Sequence, residues 1–170
     1  MGQGSYPELF LKWINKHWGV SMVGIPYRGG APIAQALVAG DIHIGEMGLG
    51  NFLGLAGEGK LKIIAVSTEE RSPLLPDVPT FREAGIPFPA SSWWGLAAPR
   101  ATPAPVIRKV SGLFSDLMQE PKFAAVLHRQ AVMPAAQGPD AFLAFIGSYR
   151  QTAKELIDLA GTAKSSYRPE

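Results

Sequence analysis

No cysteine occurs in the 170 residues, which excludes disulfides, thiolate metal sites and a cysteine nucleophile while leaving the cellular compartment open. Charge is scarce: charged residues make up 18% against 46% hydrophobic, and the net charge is +2. A surplus that small creates no field selective for phosphate, so nucleic acid is not the expected partner. No run reaches the roughly 18 continuous apolar residues that a membrane span needs. The start MGQGSYPELF has no basic stretch followed by an apolar one, so no secretory signal is read there. His17, His43 and His128 are far apart, with neither HxxxH nor HxH among them, and no metal site is expected. GxSxG, GxxxxGK[ST] and a GxGxxG with a distal acid are all missing, including from the glycine-rich turn GEMGLG at 45–50. That removes the usual signatures of serine hydrolases and nucleotide binders.

Glycine and proline are what the chain has in quantity. Nineteen glycines and 15 prolines are spread between apolar blocks and punctuate many short elements. Ser5 precedes Leu9, Phe10, Trp13, Ile14 and Trp18, a capped helical stripe that Gly19 is placed to stop. Val20 to Ile25 reads as a strand. Pro32, after Gly29 and Gly30, opens a helix with Ile33, Ala36 and Leu37 on its apolar side, and Gly40 ends it. Ile42 to Ile44 is the next strand, and a short helix follows over Phe52, Leu53 and Leu55. The run LKIIAV at 61–66 is the clearest buried strand, being apolar and β-branched without alternation. Strand, turn and helix in alternation specify parallel βαβ units, so the fold class is α/β. A mainly parallel sheet over residues 20–98 is expected, with Ile63 to Val66 at its centre. Prolines at 73, 76, 79, 87 and 89 make the following stretch a loop, apart from a short helix capped by Thr80 with Glu83 three residues on.

Beyond Pro99 the texture becomes helical. Thr102 and Pro103 open one helix, Glu120 and Pro121 a second that ends near Gln130, and Gly138 and Pro139 a third. Residues 1–92 carry seven Lys+Arg and eight Asp+Glu, a net of −1, whereas 93–170 carry nine and six, a net of +3. A boundary near Trp93 is expected. Helix starts at Ser5, at Gly30 to Ala31 and at Gly48 to Asn51 all follow glycines, so their free N–H groups suit a small anion at the carboxyl edge of an open α/β sheet. The competing reading is that the glycines simply terminate strands.

The blocks GSYPELF, IPYRGGAPIAQALVAGDIHI, GKLKIIAVSTEERSPLLPDVPTFREAGIP, SSWWGLAAPRATPAPVI and GPDAFLAFI, in that order, resemble the solute-binding proteins of tripartite tricarboxylate transporters, the Bug or TctC family. The resemblance implies a two-lobed periplasmic-binding-protein-like fold of type II and a non-enzymatic role. The protein would capture a small organic carboxylate or amino acid in the periplasm for a membrane permease, without a cofactor. It also implies that residues 4–92 form the second, ligand-binding lobe. Residues 93–170 then form the mostly helical C-terminal part of the first lobe, whose N-terminal part is absent from this chain. The runner-up is a truncated, non-binding α/β module that self-associates or swaps its C-terminal helices.

Carried over by position, the resemblance sets the ligand against Gly4 and Ser5 at the first helix start, and against Tyr27, Gly29, Gly30 and Ala31 at the YRGG turn. Where the family commonly has a Phe-Asp pair, this chain has Glu46 and Met47. Facing the cleft, Glu46 would repel a bare carboxylate and favour a ligand with an ammonium group or extra hydroxyls; otherwise it is a solvated loop residue. Trp93 and Trp94 alternate on a predicted strand, so one belongs to the core and the other to the cleft edge.

Overall fold

The computed structural model describes residues 4–135 and 137–161. Helix α1 (Tyr6–Trp18) has Pro7 in its first turn, Glu8 near its positive end and Lys16 and His17 near its negative end, each where the backbone dipole favours it. Gly19 closes it in the left-handed conformation at φ 62°, which a residue with a Cβ adopts only at a cost. Leu9, Trp13 and Ile14 fall on one side of α1 and are buried with Phe88, Ala90 and Leu156. In the last turn of α1, Asn15 performs for the following segment a task a neighbouring strand would otherwise perform. Its side-chain amide donates to the Met22 carbonyl at 2.9 Å while its oxygen accepts from the Met22 N–H at 2.9 Å.

Helix α2 (Gly30–Ala39) is entered through Gly29 at φ 102° and closed by Gly40 at φ 79°. A single 3-10 turn, Leu49–Asn51, leads to the short α3 (Leu53–Gly57). Ile33, Ala34 and Phe52 form a second buried cluster, flanked by Tyr27, Leu37, Met47 and Ile63 among others. The three later helices are α4 (Ala104–Gln119), α5 (Pro121–Arg129) and α6 (Pro139–Ala160). The starts after Glu120 and Gly138 are those the prolines specify. Ser5 and Thr102 do not cap: neither α1 nor α4 has a side-chain cap, and the N–H of Thr102 instead donates to Pro99 in a turn.

The expected parallel sheet is not borne out. Among the described residues the one β feature is an isolated parallel bridge between Val66 and Thr80, where the Val66 N–H donates to Pro79 at 3.0 Å and the Phe81 N–H donates to Val66 at 2.8 Å. Ile64 is 62% and Val23 86% exposed, while their neighbours Ile63 and Met22 pack against the two buried clusters, so each segment is covered on one side only. Apolar, β-branched composition fits a residue for a pleated surface; the ladder itself needs a second segment in register, which a local pattern does not supply.

Thr80, the most buried polar residue at 2% exposure, forms the capping box its spacing implies. Its N–H donates to a Glu83 carboxylate oxygen at 2.8 Å, and the Glu83 N–H donates to its hydroxyl oxygen at 3.2 Å. The product is a single turn, closed by the Ala84 N–H on the Thr80 carbonyl, because Gly85 follows at φ 75°. Thr80→Ala is expected to lower stability by about 1–2 kcal/mol, since it removes one acceptor and leaves the Glu83 N–H unmet. A urea-denaturation series unchanged within error would contradict this.

Two glycines permit close approaches, one within the C-terminal part and one between it and the N-terminal part. Gly95 lies under the Phe142 ring of α6, and Gly50 lies against the main chain of Gln130 after α5, where a Cβ would stand 2.9 Å from Gln130 Cα. The apolar stripe of α6 packs on α1 through Leu156, Tyr149 and Ile157. That of α4 is open in part, with Val106, Val110, Leu113 and Phe114 exposed and Ile107, Leu117 and Met118 half-buried.

Candidate functional site

Three segments meet around a cavity of about 330 Å³, within the range of small-ligand pockets. The start of α1 supplies Ser5, Tyr6 and Pro7; the 45–48 loop supplies Glu46, Met47 and Gly48; the segment before Pro99 supplies Ser92, Trp93 and Trp94. Ser5 precedes the first turn of α1, where N–H groups lack partners inside the helix. Its hydroxyl oxygen is buried without a hydrogen-bond partner, as is Oε2 of Glu46. Burial pushes the Glu46 carboxyl up from its ordinary 4.5 to about 7, because a charge withdrawn from water without a counter-ion is disfavoured.

The aromatic walls are fixed from behind. Tyr6 donates its hydroxyl to the Ala90 carbonyl at 3.1 Å, and burial, with Glu46 adding to it, holds the phenol well above its usual range. Trp93 stands edge-on to Phe142, Phe145 and Tyr149, with ring centres 5.5 to 5.8 Å apart. Tyr149 donates to the Ser91 carbonyl at 3.2 Å, so α6 braces the strip that carries both tryptophans. Neither indole is a core residue: Trp93 is 39% and Trp94 74% exposed, and both line the cavity. The alternation that assigned one of them to a core presupposed a two-sided sheet.

The residues that the sequence singles out fall into two groups. Ser5, Glu46, Met47 and Trp93 share this cavity. Gly4 adjoins it at φ 76°, with its N–H already given to the Glu8 carboxylate. Gly29, Gly30 and Ala31 stand at the α2 start, and Ala31 lines a different, more open cavity of about 500 Å³ with Asn51, Leu55 and Lys60. Tyr27 is packed against the Ile33, Ala34 and Phe52 cluster. Asn51 connects the groups: its side chain fills the space over Gly30 and donates to the Gly48 carbonyl at 2.9 Å. Tyr6, Pro7 and Ser92 are not singled out by the sequence, and Asn51 only as the end of the third glycine-led helix start. For Tyr6 the signal was its place directly after Ser5 at a helix start; Asn51 directly follows Gly50, the last glycine of the turn.

The family profile described as "Tripartite tricarboxylate transporter family receptor" (TctC) matches residues 1–161. Curated relatives include the UPF0065 protein in the gbd 5' region of Cupriavidus necator, 28% identical over 86% of this chain and 45% of its own length. BugT of Bordetella pertussis is 27% identical over 84% of this chain and 44% of its own. Among solved structures, the periplasmic binding protein BugD superposes with a TM-score of 0.73 at 26% identity, over 92% of this chain and 54% of that one. MatC from Rhodopseudomonas palustris with bound malate gives 0.68 at 30% identity, over 92% and 53%. The architecture is therefore that of the matched part of periplasmic binding proteins, and the chain spans about half the length of the proteins it matches.

Proposed function

Since the chain belongs to the tripartite tricarboxylate transporter receptor family, we propose that it captures a small organic carboxylate in the periplasm and presents it to a membrane permease, without catalysing a reaction. The observation that carries this reading is the cavity at the α1 start, whose Ser5 hydroxyl is buried and unpaired. A carboxylate there takes a charge-assisted hydrogen bond and the field of a helix start without needing a salt bridge. The bound malate of MatC supports the ligand class.

Residues 4–92 act in this proposal as the ligand-binding lobe and 93–170 as the opposing part. The cavity draws Ser5 and Glu46 from the first and Trp93 from the second, so closing one on the other is the transport signal. Ser5, Glu46, Met47 and Trp93 hold the ligand directly. Gly4 shapes the turn before Ser5, and the Tyr27, Gly29, Gly30 and Ala31 turn acts through Asn51.

Malate titrated at pH 5.5, where Glu46 is neutral and repels no anion, tests the proposal. Trp94 at 74% exposure marks an open side that leaves part of the ligand wet, so the expected Kd is about 1 mM, read from indole NMR shifts. Ser5→Ala is expected to weaken binding about tenfold by removing one charge-assisted bond. Absence of saturable shifts up to about 20 mM, some twentyfold above the expected Kd, would refute carboxylate capture at this site.

A further inference from the structure

Two unlike polar groups line the cavity. The unpaired Ser5 hydroxyl stands at the start of α1, an environment for a negative group. Oε2 of Glu46 is withdrawn from water and meets no donor among the described residues. A buried acceptor left unmet is costly, so a ligand that brings a donor gains what the empty site forgoes. No Lys, Arg or His lines the cavity, whereas two indoles do, and indole faces attract cations.

Resting on the proposal that this cavity takes a carboxylate, we infer that Glu46 determines specificity by receiving the ammonium group of a ligand that also carries a carboxylate. The ligand class is then a zwitterion, with its carboxylate at Ser5 and its ammonium between Glu46 and the faces of Trp93 and Trp94. A second carboxylate in the latter position would face an anion with no counter-charge and is rejected.

The electrostatic surroundings make the choice readable. From α1 the ionisable group facing Glu46 is Tyr6, with Tyr149 of α6 next to it; burial raises both phenols, so they stay neutral through pH 8. Glu8 on α1 is engaged with Lys12 and Gly4, and residues 91–94 carry no ionisable side chain. Glu46, raised to about 7, is the cavity group that changes charge between pH 5.5 and 8. Ammonium binding must strengthen across that interval and dicarboxylate binding must weaken.

The test is an NMR titration of the 170-residue chain, read at the indole signals, with 4-aminobutyrate and glutarate, which are alike in length and differ in one end group. At pH 8 the expected preference for 4-aminobutyrate is about tenfold or more, shrinking or reversing at pH 5.5. Glu46→Gln is expected to flatten both pH profiles and to weaken 4-aminobutyrate about tenfold. Glutarate binding at least as tightly as 4-aminobutyrate at pH 8, or profiles that survive Glu46→Gln, overturns the inference and leaves carboxylate capture standing. If neither probe moves the indole signals at either pH, both readings fall.

Discussion

Trp13→Ala is expected to destabilise the protein by about 3–5 kcal/mol, the usual range for emptying a buried aromatic site. Trp13 is 3% exposed, stacks on His17 with ring centres 4.0 Å apart and meets Phe88 edge-on at 5.5 Å. It sits in the cluster that holds α1 to Leu156 of α6, so the cavity left behind cannot be closed by moving one flexible side chain. Against a typical total of about 5–15 kcal/mol, such a loss leaves a marginal fold. The cavity at the α1 start is expected to fail with it, because Ser5 and Tyr6 are positioned by that helix. Urea unfolding followed by far-UV circular dichroism measures the change, and a loss below about 1 kcal/mol would show that α1 is not the anchor proposed.

The second large effect has the opposite sign. Folding raises the Glu46 carboxyl from 4.5 to about 7, so between those values the folded chain holds a proton that the unfolded chain has released. Stability is therefore full below about pH 4.5 and falls as pH rises towards 7, by about 3 kcal/mol for a shift of that size. Glutamine keeps the shape and has no charge to bury. Glu46→Gln is expected to stabilise the protein at pH 8 by up to about 3 kcal/mol and to change little at pH 4, where the native acid is already neutral. Urea midpoints at the two pH values measure it. A gain of equal size at both would trace the effect to packing and not to buried charge. A buried carboxyl with this cost fits a group that serves binding, the usual exchange between stability and function.

The helices were legible because their signals are local. Prolines after Glu120 and Gly138, and glycines at 19 and 40, act within one or two residues of themselves. The Thr80 and Glu83 pair was legible for the same reason, spanning three residues. The sheet was not, since a run such as LKIIAV describes a surface that could be paired without saying what pairs with it, and Ile64 stands exposed. Within the candidate site, Ser5 was found by its place at a helix start but misread as a cap; its oxygen points to no backbone donor. The burial of Glu46 was hidden because its walls, Tyr6 and the tryptophans, lie 40 residues before it and 47 and 48 residues after it, and only the tertiary arrangement brings them together.

The two glycine seams leave different freedoms for sequence drift. At Gly95 the obstacle to a side chain is the rim of the Phe142 ring, a body on a rotatable stem that can swing aside and repack. At Gly50 the obstacle is the backbone of Gln130 itself, which has no rotamer to change and can yield only by parting the chain from its neighbour. Over many generations position 95 can trade its glycine for alanine if residue 142 shrinks in step. Position 50 has no such compensating partner, because nothing substituted at 130 makes its main chain smaller. The contact after α5 is therefore the seam that no change of side chain can relax.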